Sequence, residues 1–285
     1  MNQNELLKDQ VAVVTGGGGG LGRAIALAFA GAGADVVVGD IVPARCEETV
    51  ARIQELGRRG VGVPMDVMDT AQVEALVQRA ESEFGRLDIL VNNAGGTALR
   101  PFLEQNEKSW RKHIDLNFVS MLAATSAAAP IMIKGGRGGA ILNVSSIEGS
   151  RAAPYAAVYS ACKAAMNNFT RTMAVELSDH GIRVNCIAPD FTETPGLRGN
   201  DRKGPVDPST WFPVSEAQKD GMARRIPLRR GGVDSECGQA ALYLCSPMAS
   251  YVTGAILPVD GGTWASGGWV RDTKGRWVLS EIPGA

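Results

Sequence analysis

Apolar and polar positions divide this chain into short β-type runs that alternate with longer stretches of helical spacing. Val11–Thr15 is the first run, apolar or β-branched throughout. Similar runs stand at 34–39, 61–65, 87–91, 140–144, 182–187 and 255–259. Helical spacing fills 21–32, 43–58, 70–84, 106–133 and 156–177. The period is plainest in Thr70–Phe84, where Val73, Leu76, Val77 and Ala80 form one stripe. The strand runs are apolar on both faces, as in a parallel sheet covered on both sides. This alternation predicts an α/β fold, a doubly wound parallel sheet of about seven strands with helices on both faces. No Pro/Ser-rich linker or shift of composition divides residues 1–285, which read as one domain.

Two regions depart from the alternation. Residues 190–230 hold five prolines and the adjacent aromatics Trp211 and Phe212, without clear strand character. A segment of that length reads as a functional lid or a disordered insertion. The tail, 263–285, carries Trp264, Trp269 and Trp277, three of the five tryptophans. Aromatics there predict docking onto a surface.

Composition narrows the setting. Lys plus Arg is 29 against 30 for Asp plus Glu, a net charge of -1. That balance argues against nucleic acid or an anionic membrane as partner. No apolar run is read as approaching the roughly 20 residues of a membrane span. The opening Met1-Asn2-Gln3-Asn4-Glu5 lacks the basic and apolar parts of a signal peptide. The five cysteines (Cys46, Cys162, Cys186, Cys237, Cys245) form no Cys-x-x-Cys pair, and His113 and His180 are the only histidines. Neither a disulfide frame nor a metal site is expected. The expectation is a soluble, reduced, cytoplasmic chain.

Glycine placement brings in the chemistry. Thr15-Gly16-Gly17-Gly18-Gly19-Gly20-Leu21-Gly22 joins the first strand to the first helix. Glycine there permits a tight turn and lets backbone N–H groups meet a pyrophosphate, the arrangement of a Rossmann-type dinucleotide site. Asp40 ends the second strand, 18 residues after Gly22. An acidic residue there accepts from the adenosine ribose hydroxyls and repels a 2′-phosphate, so NAD is favoured over NADP. Its other reading is a helix cap near Pro43. Further on, Tyr159 and Lys163 lie four residues apart in a helical stretch, one turn apart on one face. A nearby cation favours phenolate and is expected to draw the tyrosine toward the range of a general acid/base.

Taken in order, these motifs resemble the short-chain dehydrogenase/reductase family, in its single-domain soluble branch, over about residues 8–262. Thr15-Gly16-x-x-x-Gly20-x-Gly22 is similar to the family's cofactor loop, and Asp66-Val67 to its adenine-holding pair. Asn92-Asn93-Ala94-Gly95, with Asp88 before it, resembles the segment after the fourth strand. Asn117 in Asp115-Leu116-Asn117 looks like the helix asparagine, and Ser145-Ser146 precede the Tyr159/Lys163 pair. The resemblance implies cofactor contacts at Gly16, Gly20, Leu21, Gly22, Asp40, Ile41, Asp66, Val67, Asn93, Ala94, Gly95, Tyr159, Lys163, Pro189, Thr192 and Thr194. It also implies a proton exchanged by Tyr159, a hydrogen bond from Ser146 (Ser145 as the fallback), a Lys163 that holds the nicotinamide ribose, and a water anchored by Asn117. Asp260-Gly261-Gly262 after the last strand matches too, and implies a homotetramer.

The chain departs from the family in one place: Pro189-Asp190 stands where Pro-Gly is common. Asp190 is read as a turn cap, or as a residue that narrows the pocket or meets a substrate hydroxyl. Cys162 is expected to be a small core residue. The resulting expectation is an NAD-dependent oxidoreductase that interconverts a secondary alcohol and a ketone. Its substrate would be lipophilic or alicyclic, under a lid lined by Phe191, Leu197, Trp211, Phe212, Val214 and Met222. Packing of those residues onto the body is an equal alternative. A non-catalytic NAD-binding scaffold and a same-fold epimerase or dehydratase also remain open.

Overall fold

The structure is a computed structural model that describes residues 5–200 and 204–279. The reading of Met1–Asn4 and the last part of the tail lie outside these residues. The elements run β1 (Val11–Thr15), α1 (Gly20–Gly31), β2 (Asp35–Asp40), α2 (Pro43–Glu55), β3 (Gly60–Pro64), α3 (Thr70–Phe84) and β4 (Ile89–Asn92). Then come α4 (Glu107–Ile114), α5 (Ser120–Gly135), β5 (Gly139–Val144), α6 (Ala157–Glu176), β6 (Ile182–Pro189) and β7 (Thr192–Glu193). The last are α7 (Glu216–Arg225), β8 (Gly232–Val233), α8 (Asp234–Cys245), β9 (Ile256–Val259), β10 (Val270–Arg271) and β11 (Trp277–Val278).

Seven strands form one parallel sheet in the order β3-β2-β1-β4-β5-β6-β9. The order reverses between β1 and β4, which opens a crevice at their carboxyl ends. Alternate residues of each strand feed opposite cores. Val36, Val38, Ile89 and Val91 pack with Ile25 and Phe29 of α1 and Ala241 and Leu244 of α8. Val37 and Leu90 pack with Val73 and Leu76 of α3 and Ala124 and Met132 of α5. The predicted doubly wound fold is what forms, and the seven strand positions hold to within two residues at each end.

Five local expectations change. The single helix over 106–133 is two helices, α4 and α5, separated by a π-helical turn at Asp115–Val119. The combined run Glu107–Gly135 is long and apolar enough to cross a membrane, which corrects the expectation that no run approaches that length. Its Ala124, Ala128 and Met132 are buried against the sheet, which accounts for its apolar character. The segment 190–230 has structure of its own, with β7 pairing β8 and α7 between them. α8 was not expected from the spacing. It fits tightly on α1, where a Cβ on Gly238 would stand 2.9 Å from the Ala24 carbonyl oxygen. The tail folds as the β10–β11 hairpin, closed by Arg271 over the Trp277 ring and set against α7.

Candidate active site

The glycine loop leaves bare backbone at the mouth of the crevice. Gly16 holds φ +63, and a Cβ on Gly22 would stand 2.2 Å from the Gly16 carbonyl oxygen. Both positions therefore require glycine. α1 begins after Gly19, with no side-chain cap and no acidic residue in its first turn. Its unpaired N–H groups and the positive end of its dipole suit an anionic group such as a pyrophosphate. Behind the loop, the Thr15 hydroxyl donates to the Val91 carbonyl at 3.3 Å and accepts from the Asn93 and Ala94 amides at 3.0 and 3.1 Å. This ties β1 to the segment after β4. Sequence reasoning placed Thr15 at the head of the loop motif but gave it no contact of its own.

Asp40 ends β2 with a buried carboxylate that accepts from the Gly18 amide at 3.1 Å and the Val42 amide at 3.0 Å. The Val42 bond holds the turn before α2, whose N-cap is Val42 with no side-chain cap, so Asp40 is not the helix cap. A cavity of 560 Å³ runs from Asp40, Ile41, Asp66 and Val67 past Gly16, Gly20 and Leu21. It continues along Asn93, Ala94, Gly95 and Thr194 to Tyr159 and Lys163. Gly22 packs beneath the loop, and Pro189 and Thr192 line a second, larger cavity of 810 Å³.

The two cavities adjoin along a shared wall that includes Leu21, Gly95, Ser145, Tyr159 and Thr194. α6 carries Tyr159 and Lys163 on one face, as their spacing predicts, with the Lys163 Nζ 5.6 Å from the phenol ring centroid. Lys163 is 3% exposed and donates to the Val144 carbonyl at 2.8 Å. Burial pushes its ammonium down to about 8. Burial pushes the Tyr159 phenol up, the Ser146 hydroxyl hydrogen-bonded to it works the other way, and Glu148 adds a further upward push. The expected downward shift of Tyr159 is thus corrected: burial outweighs the Ser146 hydrogen bond. The two serines also separate. The Ser145 hydroxyl is taken up by the Lys163 carbonyl at 3.2 Å, whereas that of Ser146 faces Tyr159 and lies 3.4 Å from the Pro189 carbonyl.

Asn117 sits in the π-helical turn, fully buried. Its Nδ2 donates to the Gly96 and His113 carbonyls, and its Oδ1 accepts from the Gly96 amide, each at 2.9 Å. The asparagine locks the 93–96 segment beside Lys163, whose Nζ would lie 3.4 Å from a Cβ on Gly95.

The larger cavity differs from the expected lining. Of the predicted apolar set only Leu197 reaches it. Phe191 and Met222 flank Gly231, Phe212 closes on Gly199, and the Trp211 indole donates to Asn200 at 3.1 Å. The lid residues pack among themselves because their own turns bring them together. The opposite wall is polar: Gln105, Ser109, Lys112 and His113 project from α4 and the turn before it. Their three- and four-residue spacing is a helical stripe, the signal that could have found them. Asp190 also lines this cavity, and its carboxylate is ion-paired with Arg225 and Arg151, which corrects the turn-cap reading.

A family profile described as enoyl-(acyl carrier protein) reductase matches residues 17–263. The chain belongs to the short-chain dehydrogenase/reductase family. Cis-4-hydroxycyclohexanecarboxylate dehydrogenase of Sinomonas cyclohexanicum is 39% identical to this short-chain dehydrogenase/reductase, over 90% of the chain and 98% of the relative. The 3-oxoacyl-[acyl-carrier-protein] reductase of Chlamydia muridarum is 36% identical over 91% of the chain and 99% of the relative. Among solved structures, a 7α-hydroxysteroid dehydrogenase complexed with NADH and 7-oxo glycochenodeoxycholic acid superposes with a TM-score of 0.82 at 36% identity. That match covers 92% of this chain and 97% of that one. The chain is therefore an oxidoreductase of the alcohol/ketone type.

Proposed function

We propose that this chain is an NAD-dependent dehydrogenase of ring-borne secondary alcohols, with Ser146, Tyr159 and Lys163 at its reacting centre. The observation that carries the reading is that Tyr159 stands in the wall shared by two cavities, one floored by the glycine loop and Asp40. The first suits a dinucleotide, held along Gly16, Gly20, Leu21, Asp66, Val67, Asn93, Ala94 and Gly95, with Thr194 at its nicotinamide end and Pro189 and Thr192 in the wall of the second cavity beside it. The second takes the alcohol. Two of the relatives above act, by their names, on a hydroxycyclohexane and on a hydroxysteroid, and 810 Å³ accommodates a ring system of that class.

Bound in the first cavity, the nicotinamide cofactor supplies or accepts the hydride. The protein handles the proton. Tyr159 takes it from the alcohol oxygen, or returns it to the ketone oxygen, as general base or acid. Ser146 donates a hydrogen bond to that same oxygen, where negative charge develops. Lys163, with its Nζ 5.6 Å from the phenol ring centroid, would hold the nicotinamide ribose. Asn117, by holding the His113 carbonyl and the Gly96 loop, fixes a place for a relay water.

Asp40 sets the choice of cofactor. Its carboxylate accepts ribose hydroxyls and repels a 2′-phosphate. The test is a panel of cyclohexanols, hydroxycyclohexanecarboxylates and hydroxysteroids with NAD and with NADP, followed by absorbance of the reduced cofactor. Turnover with NAD on ring alcohols is expected. Turnover confined to NADPH and open-chain 3-oxoacyl thioesters would overturn both the cofactor and the substrate class.

A further inference from the structure

Asp190 directly follows β6, and the geometry gives its carboxylate a task. It follows Pro189, whose carbonyl lies against the Ser146 hydroxyl, and its side chain is only 9% exposed. One oxygen accepts from the Arg225 Nη2 at 3.1 Å, and the other lies 3.6 Å from the Arg151 Nη2. Arg225 is the last residue of α7, a helix with no buried residue of its own. Arg151 is also paired with Glu148 at 2.8 Å, and the Glu148 amide donates to the Ser146 hydroxyl at 3.2 Å. The carboxylate therefore joins α7 on one side to the serine turn on the other, at the start of the cavity wall that continues through Thr192, Thr194 and Leu197.

We propose that Asp190 is a positioning residue: its ion pairs with Arg225 and Arg151 brace the 190–197 wall against α7 and so set the affinity for the alcohol, without contact with the reacting atoms. This rests on the larger cavity as the substrate site. α7 has no fully buried residue, so the ion pair adds to the contacts that Met222 makes beside Gly231 and that β10 makes with the helix. Loss of the carboxylate also leaves two guanidinium groups facing each other across the space it filled, so the wall loses its brace and gains a repulsion. The Asp190–Arg225 contact is half-exposed on the arginine side. Salt should weaken it accordingly.

The test compares wild type with Asp190→Asn, Arg225→Met, Arg225→Lys and the Asp190→Asn/Arg225→Met double variant. Two readouts are used, steady-state kinetics on the best ring alcohol and amide deuterium uptake over residues 190–197 and 216–225. Each single neutralising variant should raise KM about three- to tenfold with kcat within about twofold. Each should speed uptake in both segments, while NADH affinity stays within about twofold. Arg225→Lys should restore most of the KM, and the double variant should be no worse than the poorer single one, since both remove the same pair. Added salt should raise KM in wild type and leave it flat in Arg225→Met. Uptake in Asp190→Asn and Arg225→Met that matches wild type would overturn the proposal, as would additive KM effects or an unchanged KM. Deuterium uptake needs no turnover. A wild type inactive on every ring alcohol would thus refute the substrate assignment, while the bracing role would still be decided.

Discussion

A phenol and an ammonium buried side by side each resist charge, and the two resistances shape what Tyr159 can do. Burial raises the phenol and lowers Lys163 to about 8, so the protein alone holds a protonated tyrosine near neutral pH. Ser146 is the neighbour that works toward the phenolate. Tyr159→Phe should lower kcat/KM by about 10²- to 10⁴-fold, the usual worth of a general acid/base, with NADH affinity nearly unchanged in a fluorescence titration. Lys163 makes a stability prediction with a definite sign. Its folded value lies below its ordinary 10.5, so below pH 8 the fold carries a buried charge, at a cost of about 3 kcal/mol. Between pH 8 and 10.5 the unfolded chain binds the extra proton, and the contribution of this group to stability rises with pH. Lys163→Met, which also loses the bond to Val144, should therefore be more stable than wild type at pH 7 by about 1–3 kcal/mol in urea unfolding, with the gap closing toward pH 10. Asp40→Ala should cut the preference for NAD over NADP by about tenfold or more, read as the ratio of kcat/KM values.

At the scale of elements, the site depends on close backbone approaches that only small residues permit. α1 can start beside the loop because Gly22 lies under Gly16, and α8 can press on α1 because Gly238 meets Ala24. Gly238→Val should destabilise the fold by about 1–3 kcal/mol in thermal unfolding, through overpacking at the α1–α8 contact. The β and α units were legible in the sequence because strand runs buried on both faces have no polar alternation to blur them. Tyr159 and Lys163 were legible because a helical spacing puts them on one face. Other features left no periodic trace. The π-helical turn at Asp115–Val119 keeps a continuous apolar pattern, and it shows only in where Asn117 must aim. α8 is short and opens with acidic residues after a glycine-rich stretch. The lid's aromatics gave the right composition for a pocket wall, but Phe212 packs on Gly199 and Phe191 on Gly231, away from the cavity. Which arginine meets Asp190 is a tertiary fact, and spacing along the chain is silent about it.

Over the whole molecule, one parallel sheet sets both cavities at the carboxyl ends of its strands, where the order reverses. Cofactor that binds only the folded chain should raise the unfolding temperature with its concentration, NADH more than NADPH at equal concentration. β9 is an edge strand of the sheet, and exposed Tyr243, Met248 and Tyr251 lie on nearby segments. Sedimentation tests the homotetramer that the family resemblance implies, which would give four times the 30.0 kDa chain mass. The most direct test of the central claim is NAD-linked oxidation of a ring secondary alcohol by wild type and Tyr159→Phe, with NADH binding measured on both. Turnover by wild type, its near-complete loss in Tyr159→Phe and equal NADH binding by the two are the predicted result. Equal turnover by the two proteins would contradict the account.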